Sequence, residues 1–247
     1  LRDCNKAIRN KNSFPIPTFE QTYSKLATAK WISKTDLVSA YMALPLSKKS
    51  RKVTAFYGLN RLFEFRKCCF GISTVPQAFH AAVALMLEGV EDFTVSFFDD
   101  VLCLSETFEE HLINLDKLLG RIIFAGFKLR PSKCYFAQPA TEQLPWLGSI
   151  VVNNQLLCDP VKINALLDVP RPTSKKALLR FLSALSFHRR HLPKLAHISA
   201  PLYDLLQNAV TFCWTDAHED RFQQLKQLLV EPPALSLPNT TNKLVIT

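Results

Sequence analysis

The sequence predicts an α+β chain built as two subdomains, and three observations carry that reading. Short β-like apolar runs mix with helical patterns through the first half of the 247 residues. The stretch after about residue 160 reads almost wholly as helix, and Pro131, Pro139, Pro145, Pro160, Pro170 and Pro172 punctuate the crossing, where helices must stop. At 48% hydrophobic and 21% charged, the chain has enough apolar content to bury a core, which excludes general disorder. No apolar run approaches the roughly 18 to 20 residues of a bilayer span, and no leader pattern opens the sequence. The expectation is a chain that neither spans a membrane nor is secreted.

Taken in order, residues 31–35 alternate like a strand that ends at Asp36, and Leu37-Val38-Ser39-Ala40-Tyr41 then turns toward a helix. Residues 52–56 and 62–65 flank Tyr57-Gly58-Leu59-Asn60, where Gly58 and Asn60 tolerate positive φ, so a β-hairpin is predicted. Residues 93–98 and 101–104 form a second pair of apolar runs around Asp99-Asp100. Thr107 and Glu110 make a capping box for a helix carrying Leu112, Leu115, Leu118, Leu119, Ile122 and Ile123, with Gly126 as its C-terminal cap. A later helix starts near Thr173 or Ser174 and runs through Leu178, Leu179, Phe181, Leu182 and Leu185, leaving Lys175, Lys176 and Arg180 to face outward.

The formal charge is +9, and its distribution is uneven. Residues 1–52 hold eleven lysines and arginines against three acidic residues, and residues 160–194 hold eight against Asp168 alone. Two separated basic surfaces suit a polyanionic duplex. The seven cysteines are scattered and contain no C-x-x-C pair, which points to a reducing, intracellular setting. His188 and His191 sit three apart, but no neighbouring ligand completes a zinc set.

Asp99-Asp100 lies between two hydrophobic runs, where ionised carboxylates side by side repel and call for a compensating cation. An acidic dipeptide also makes an ordinary solvated turn. Asp36 at a strand end is placed like a catalytic group, although taken alone an Asp there reads first as a helix N-cap.

The larger pattern chooses between these. Lys34-Thr35-Asp36-Leu37 through Pro45-Leu46, then Phe70-Gly71 with Pro76-Gln77-Ala78-Phe79, then Phe97-Phe98-Asp99-Asp100-Val101-Leu102, resembles in order and spacing a reverse transcriptase, most closely that of a gypsy-type long-terminal-repeat retrotransposon. Gly126-Phe127-Lys128-Leu129, Pro131-Ser132-Lys133-Cys134, Trp146-Leu147-Gly148, Pro170-Arg171-Pro172, Arg189-Arg190 and Phe212-Cys213-Trp214-Thr215 extend the resemblance over almost the whole chain.

The resemblance implies a right-hand polymerase fold. Residues 1–11 and 44–74 would form fingers, 12–43 and 75–157 a palm, 158–229 a mainly helical thumb, and 230–247 the start of a connection toward a ribonuclease H domain. It implies an RNA-directed DNA polymerase in which Asp36, Asp99 and Asp100 hold two Mg2+ ions, with Mn2+ as a substitute. Tyr41 would exclude a ribose 2′-hydroxyl, while Phe70, Gly71 and Pro76 shape the deoxynucleoside triphosphate pocket and Lys133 lies near the triphosphate. Arg2, Asn5, Trp146, Leu147, Gly148, Arg180, Arg189 and Arg190 would contact a template-primer, and other Pol domains would be partners in a parent polyprotein. Residence would be cytoplasmic, in a virus-like particle, or nuclear. For Tyr41, Phe70, Lys133 and the thumb arginines, plain core or solvated-surface roles are the alternatives.

Three departures from the family pattern stand out. Phe97 replaces the tyrosine before the catalytic pair, Cys68-Cys69-Phe70-Gly71 replaces Met-Pro-Phe-Gly, and Thr74-Val75-Pro76 replaces Asn-Ala-Pro. The basic fingers strand that clasps the triphosphate would precede Leu1, and no RNA-degrading site is expected. A catalytically inactive nucleic-acid-binding relic is the competing expectation. The retained carboxylates favour the polymerase, because a relic has no use for three uncompensated charges.

Overall fold

The computed structural model describes residues 2–8, 14, 15, 22, 25–230 and 232–236. Contacts divide them into two units, the first running to Ala140 and the second starting at Thr141. The first contains α1 (Arg2–Ala7), β1 (Trp31–Asp36), α2 (Ala40–Ala43), α3 (Lys48–Arg51), β2 (Phe56–Gly58), β3 (Arg61–Phe63), α4 (Val75–Met86), β4 (Thr94–Phe97), β5 (Asp100–Ser105), α5 (Phe108–Phe124) and β6 (Tyr135–Pro139).

The strands of the first unit form an antiparallel sheet in the order β4-β5-β1-β6, with β2 and β3 as a separate ribbon. Strand alternation sends Val101 and Cys103 to one face, where they join Phe79 and Val83 of α4 and Leu118 and Ile122 of α5 in one core. The Thr107 cap of α5 is present, but the Glu110 carboxylate reaches back to the Glu106 N–H at 3.2 Å, one residue before the cap, so the expected reciprocal box is only half formed. The Thr107 hydroxyl accepts the Glu110 N–H at 3.2 Å, and Gly126 takes φ 74 while its N–H and that of Phe127 close onto Ile123 and Ile122.

The buried stripe of α5 differs from the expected one. His111 and Asn114 are buried, whereas Leu112 and Ile123 are exposed. The reason is a polar network. Ser33 Oγ lies 2.7 Å from His111 Nε2, His111 Nδ1 lies 3.2 Å from Ser105 Oγ, and Asn114 donates to the same Ser105 oxygen. Ser33 also accepts the N–H of Ala137, closing the register irregularity between β1 and β6 where Ala137 adopts φ 49. Burial holds the His111 imidazole below its ordinary pKa, so it is neutral and serves as donor on one nitrogen and acceptor on the other. Ser33→Ala would strand the Ala137 N–H and a histidine nitrogen without water. It is expected to lower unfolding free energy by about 1–3 kcal/mol in a denaturant titration.

The first hairpin is present with its turn displaced. Gly58 pairs with Arg61, so Leu59 and Asn60 form the two-residue turn at φ 48 and 57, and Gly58 stays extended. Residues 52–54 are helical where a strand was expected, because α3 continues as a 3-10 turn. Thr54 fixes it by donating to the Arg51 carbonyl and accepting the Phe65 N–H.

The second unit contains β7 (Leu144–Trp146), β8 (Ser149–Val152), β9 (Gln155–Cys158), α6 (Pro160–Leu167), α7 (Lys175–Phe187), α8 (Leu195–Asp204), α9 (Asp216–Val230) and β10 (Leu235–Ser236). Its boundary precedes the change of texture at residue 160, because Cys158 at the end of the β7-β8-β9 meander packs into the helical core with Leu166, Phe181 and Phe222. Ser174 caps α7, as expected. Lys175 does not face freely outward; its ammonium donates to the Gln207 carbonyl. His188 and His191 are core residues, and His191 pairs with the Pro233 carbonyl. The segment expected to begin a connection is described only as far as Ser236, so residues 237–247 lie outside the described residues. Among the described residues no helix is long and apolar enough to cross a membrane.

Candidate active site

Three strand ends meet at the carboxylates. In the antiparallel β1–β5 ladder Asp36 stands directly opposite Asp100, which puts both side chains on one face of the sheet. The Leu37 N–H donates to the Asp99 carbonyl at 2.9 Å, tying the exit of β1 to the turn. Across β4–β5, Phe97 pairs with Asp100, leaving Phe98 and Asp99 as a two-residue turn. Phe98 adopts φ 52, a conformation that costs a bulky residue about 1–2 kcal/mol and persists because both flanking strands impose it. Asp99 is consequently exposed at the apex, Asp100 is half-buried, and Asp36 is only 6% exposed.

The compensating cations anticipated from the acidic dipeptide are present. Lys34, two residues before Asp36 on the same strand face, reaches Asp100 Oδ1 at 3.4 Å. Arg130 Nε lies 3.7 Å from Asp36 Oδ1, and Lys133 Nζ lies 4.0 Å from Asp36 Oδ2. Burial raises the Asp100 pKa, Lys34 opposes that rise, and the neighbouring Asp99 and Asp36 charges add to it. Asp36 Oδ1 is buried without a hydrogen bond. A desolvated anionic oxygen of this kind is a site for a hard cation, so the residues fit a divalent metal. Among the described residues no three metal-ligating side chains converge into a ready-made cage. Asp36, Asp99 and Asp100 thus meet as neighbours, not as a closed triad, since Asp36 and Asp100 are drawn to their lysine and arginine partners while like charges repel.

The segment carrying Arg130 and Lys133 is stitched to the end of β1. Val38 donates to the Lys128 carbonyl at 2.7 Å and Arg130 donates to the Asp36 carbonyl at 2.9 Å. The Asp36 N–H points at Cys134 Sγ, whose thiol donates to the Arg130 carbonyl. Sequence reasoning singled out Lys133 and missed Lys34 and Arg130. Strand alternation from Asp36 was a usable signal for Lys34, whereas Arg130 comes to the site only through this long-range stitching.

An aromatic pocket adjoins the carboxylates. The half-buried Tyr41 on α2 meets Phe70 edge-on at 5.2 Å and Phe79 at 5.5 Å. Burial and then the Asp99 charge raise its pKa, so its hydroxyl stays protonated beside that carboxylate. Phe70 is 64% exposed, Gly71 takes φ 96, and Pro76 opens α4, with Gln77 Oε1 buried and unpartnered in the same turn. Asn5 spends its amide on this loop, donating to the Gly71 carbonyl at 2.7 Å and accepting the Ser73 N–H at 2.9 Å. It therefore braces the pocket, with its second amide hydrogen not engaged by either of these bonds. Arg2 is exposed.

Residues 1–151 match the reverse transcriptase (RNA-dependent DNA polymerase) family. The chain belongs to the reverse transcriptase family. It is 27% identical over 247 residues to the retrovirus-related Pol polyprotein from transposon 412 of Drosophila melanogaster, covering all of this chain and 20% of that one. It is 28% identical over 243 residues to the transposon Tf2-3 polyprotein of Schizosaccharomyces pombe, covering 98% of this chain and 18% of that one. This reverse transcriptase chain thus spans about a fifth of the length of these relatives. Among solved structures, the foamy viral protease-reverse transcriptase in complex with an RNA/DNA hybrid superposes with a TM-score of 0.85 at 22% identity, over 96% of this chain and 32% of that one. The same protein with double-stranded DNA gives 0.84 at 21%, over 97% and 50%. The α+β polymerase fold expected from the sequence is the fold observed.

In the second unit of the reverse transcriptase chain, Trp146 is 1% exposed, so its ring anchors the β7–β8 hairpin from within the core and cannot itself grip a primer. Leu147 and Gly148 form the hairpin turn at φ 48 and 77. Gly148 has a second constraint: a Cβ would sit 2.8 Å from Phe187 Cζ and against the Lys162 ammonium, which donates to the Gly148 carbonyl. Gly148→Ala is expected to cost about 2 kcal/mol or more from combined strain and overpacking, read as a lowered melting temperature. Arg180, Arg189 and Arg190 are exposed.

Proposed function

We propose that this chain is the nucleotidyl-transferring core of an RNA-directed DNA polymerase of a gypsy-type retrotransposon Pol polyprotein. The observation that carries the reading is the pairing of Asp36 with Asp100 across β1 and β5, beside the exposed Asp99 and with a buried Asp36 oxygen lacking any hydrogen bond. In this reading Asp36, Asp99 and Asp100 would hold two divalent ions. Magnesium is favoured by the all-oxygen donor set, with manganese able to replace it. When bound, such ions supply charge stabilisation for the attacking and leaving oxygens of in-line displacement at an α-phosphate.

The chain's own residues supply positioning. Lys133, with a 57% exposed side chain, swings between Asp36 and the triphosphate, where it offers charge or a proton to departing pyrophosphate. Tyr41, wedged between Phe70 and Phe79, presents a fixed ring edge that leaves no room for a 2′-hydroxyl. Phe70, Gly71 and Pro76 line the rest of the deoxynucleotide pocket. Arg2, the Leu147–Gly148 turn and Arg180, Arg189 and Arg190 hold the template-primer through its phosphates, which makes binding salt-dependent and sequence-tolerant. Residues 1–11 and 44–74, with the β2–β3 ribbon, are the fingers, residues 12–43 and 75–157 the palm, and residues 158–229, with the four helices from Pro160 onward, the thumb. The other Pol domains, an intracellular setting and the absence of a membrane partner complete the reading.

The test is primer extension on an RNA template with deoxynucleoside triphosphates and Mg2+ or Mn2+, run beside duplex binding over a salt series. Template-directed extension supports the polymerase. Salt-dependent duplex binding with no extension in either metal supports the inactive relic.

A further inference from the structure

We infer that Arg130 is a built-in competitor of the divalent cation at Asp36 and thereby sets the metal concentration this site requires. The inference rests on the metal reading of the acidic cluster proposed above. Its starting point is a mismatch in geometry: Arg130 Nε stands 3.7 Å from Asp36 Oδ1, close enough for charge attraction, yet that buried oxygen accepts no hydrogen bond. The guanidinium neutralises Asp36 without saturating it.

The backbone and side chain of Arg130 are held very differently. Its N–H donates to the Asp36 carbonyl at 2.9 Å and its own carbonyl accepts the Cys134 thiol, so the main chain is fixed against β1. The side chain is 43% exposed and can withdraw into solvent, whereas that of Asp36 is 9% exposed and cannot. A guanidinium is also weakly hydrated, so it gains little by leaving. A cation arriving at Oδ1 has to displace this resident charge. Lys133 is a poorer competitor, being farther away at 4.0 Å, more exposed at 57% and on the other carboxylate oxygen.

The prediction has opposite signs with and without metal. Arg130→Ala removes the competitor, so Mn2+ binding, measured by loss of the free-ion electron paramagnetic resonance signal, is expected to tighten about fivefold, the upper end for a half-exposed ion pair. Without metal the same variant is expected to melt lower than the unsubstituted chain, with the gap closing as Mn2+ is added. Arg130→Lys, which keeps the charge and loses the fork, is expected to lie between. A merely structural arginine would lower the melting temperature equally at every Mn2+ concentration and leave the binding curve where it was; that result overturns the inference. Failure of the unsubstituted chain to bind Mn2+ at all, or equal binding by Asp36→Asn, overturns the metal reading and the inference with it. Tight binding by the unsubstituted chain that is unchanged in both Arg130 variants removes the inference alone.

Discussion

Asp99→Asn is expected to reduce deoxynucleotide incorporation on a primed RNA template by about a thousandfold or more, the loss that follows removal of a pre-positioned charge from the reacting centre. The substitution is informative because Asp99 is the exposed member of the acidic group, at the apex of the Phe98-Asp99 turn, and takes part in none of the ion pairs of Lys34, Arg130 and Lys133 with the other two carboxylates. Its isosteric amide leaves the β4–β5 ladder, the Lys34–Asp100 pair and the Arg130–Asp36 pair in place. Thermal unfolding and salt-dependent duplex binding should therefore match the unsubstituted chain while extension disappears. Asp36→Asn is a blunter probe, since it also discharges the partner of Arg130 and Lys133 and changes stability. Equal extension by the Asp99 variant and the parent would remove the acidic cluster from the chemistry.

Tyr41→Ala is expected to relax discrimination against ribonucleotides by about a hundredfold, with little loss of deoxynucleotide use. The tyrosine ring packs edge-on against Phe70 and against the fully buried Phe79, contacts that favour this one orientation. Removing it opens space on the side facing Asp99, whose charge already reaches the phenol. Tyr41→Phe separates the two parts of the residue: it keeps the ring edge and should keep the sugar preference. The measurement is the ratio of kcat/KM for matched deoxy- and ribonucleoside triphosphates, and an unchanged ratio in the alanine variant would assign Tyr41 to core packing alone.

The parts of this architecture that follow from local pattern were readable in advance. The alternation from Trp31 ends at Asp36, the apolar runs around Asp99-Asp100 form the second hairpin, and Thr107, Glu110 and Gly126 delimit α5 by capping chemistry that needs no distant partner. What local pattern could not supply is pairing between distant segments. His111 and Asn114 displace Leu112 and Ile123 from the buried side of α5 because Ser33 and Ser105, on two different strands, offer them hydrogen bonds. Leu59 in place of Gly58 takes the left-handed position because Gly58 is committed to pairing with Arg61. At the site, Asp36 and Lys133 were legible as motif residues. Arg130 was not, since its role depends on the Leu129 and Lys128 backbone docking onto Leu37 and Val38. Trp146 illustrates the converse: a motif position marks where a hairpin lies, but burial decides which of its atoms a partner can touch.

The direct opposition of residues 36 and 100 in the central ladder also determines what a partially correct molecule can do. Side chains in a strand alternate faces, so a shift of one position between β1 and β5 would carry one carboxylate through to the helix-covered side and bury it among Val101, Cys103 and Leu118. If the proposed function holds, an intermediate alignment would not give a weakened site. In a refolded preparation, turnover per mole should therefore count molecules in the native alignment, and heterogeneity should show as a smaller active fraction with an unaltered Michaelis constant.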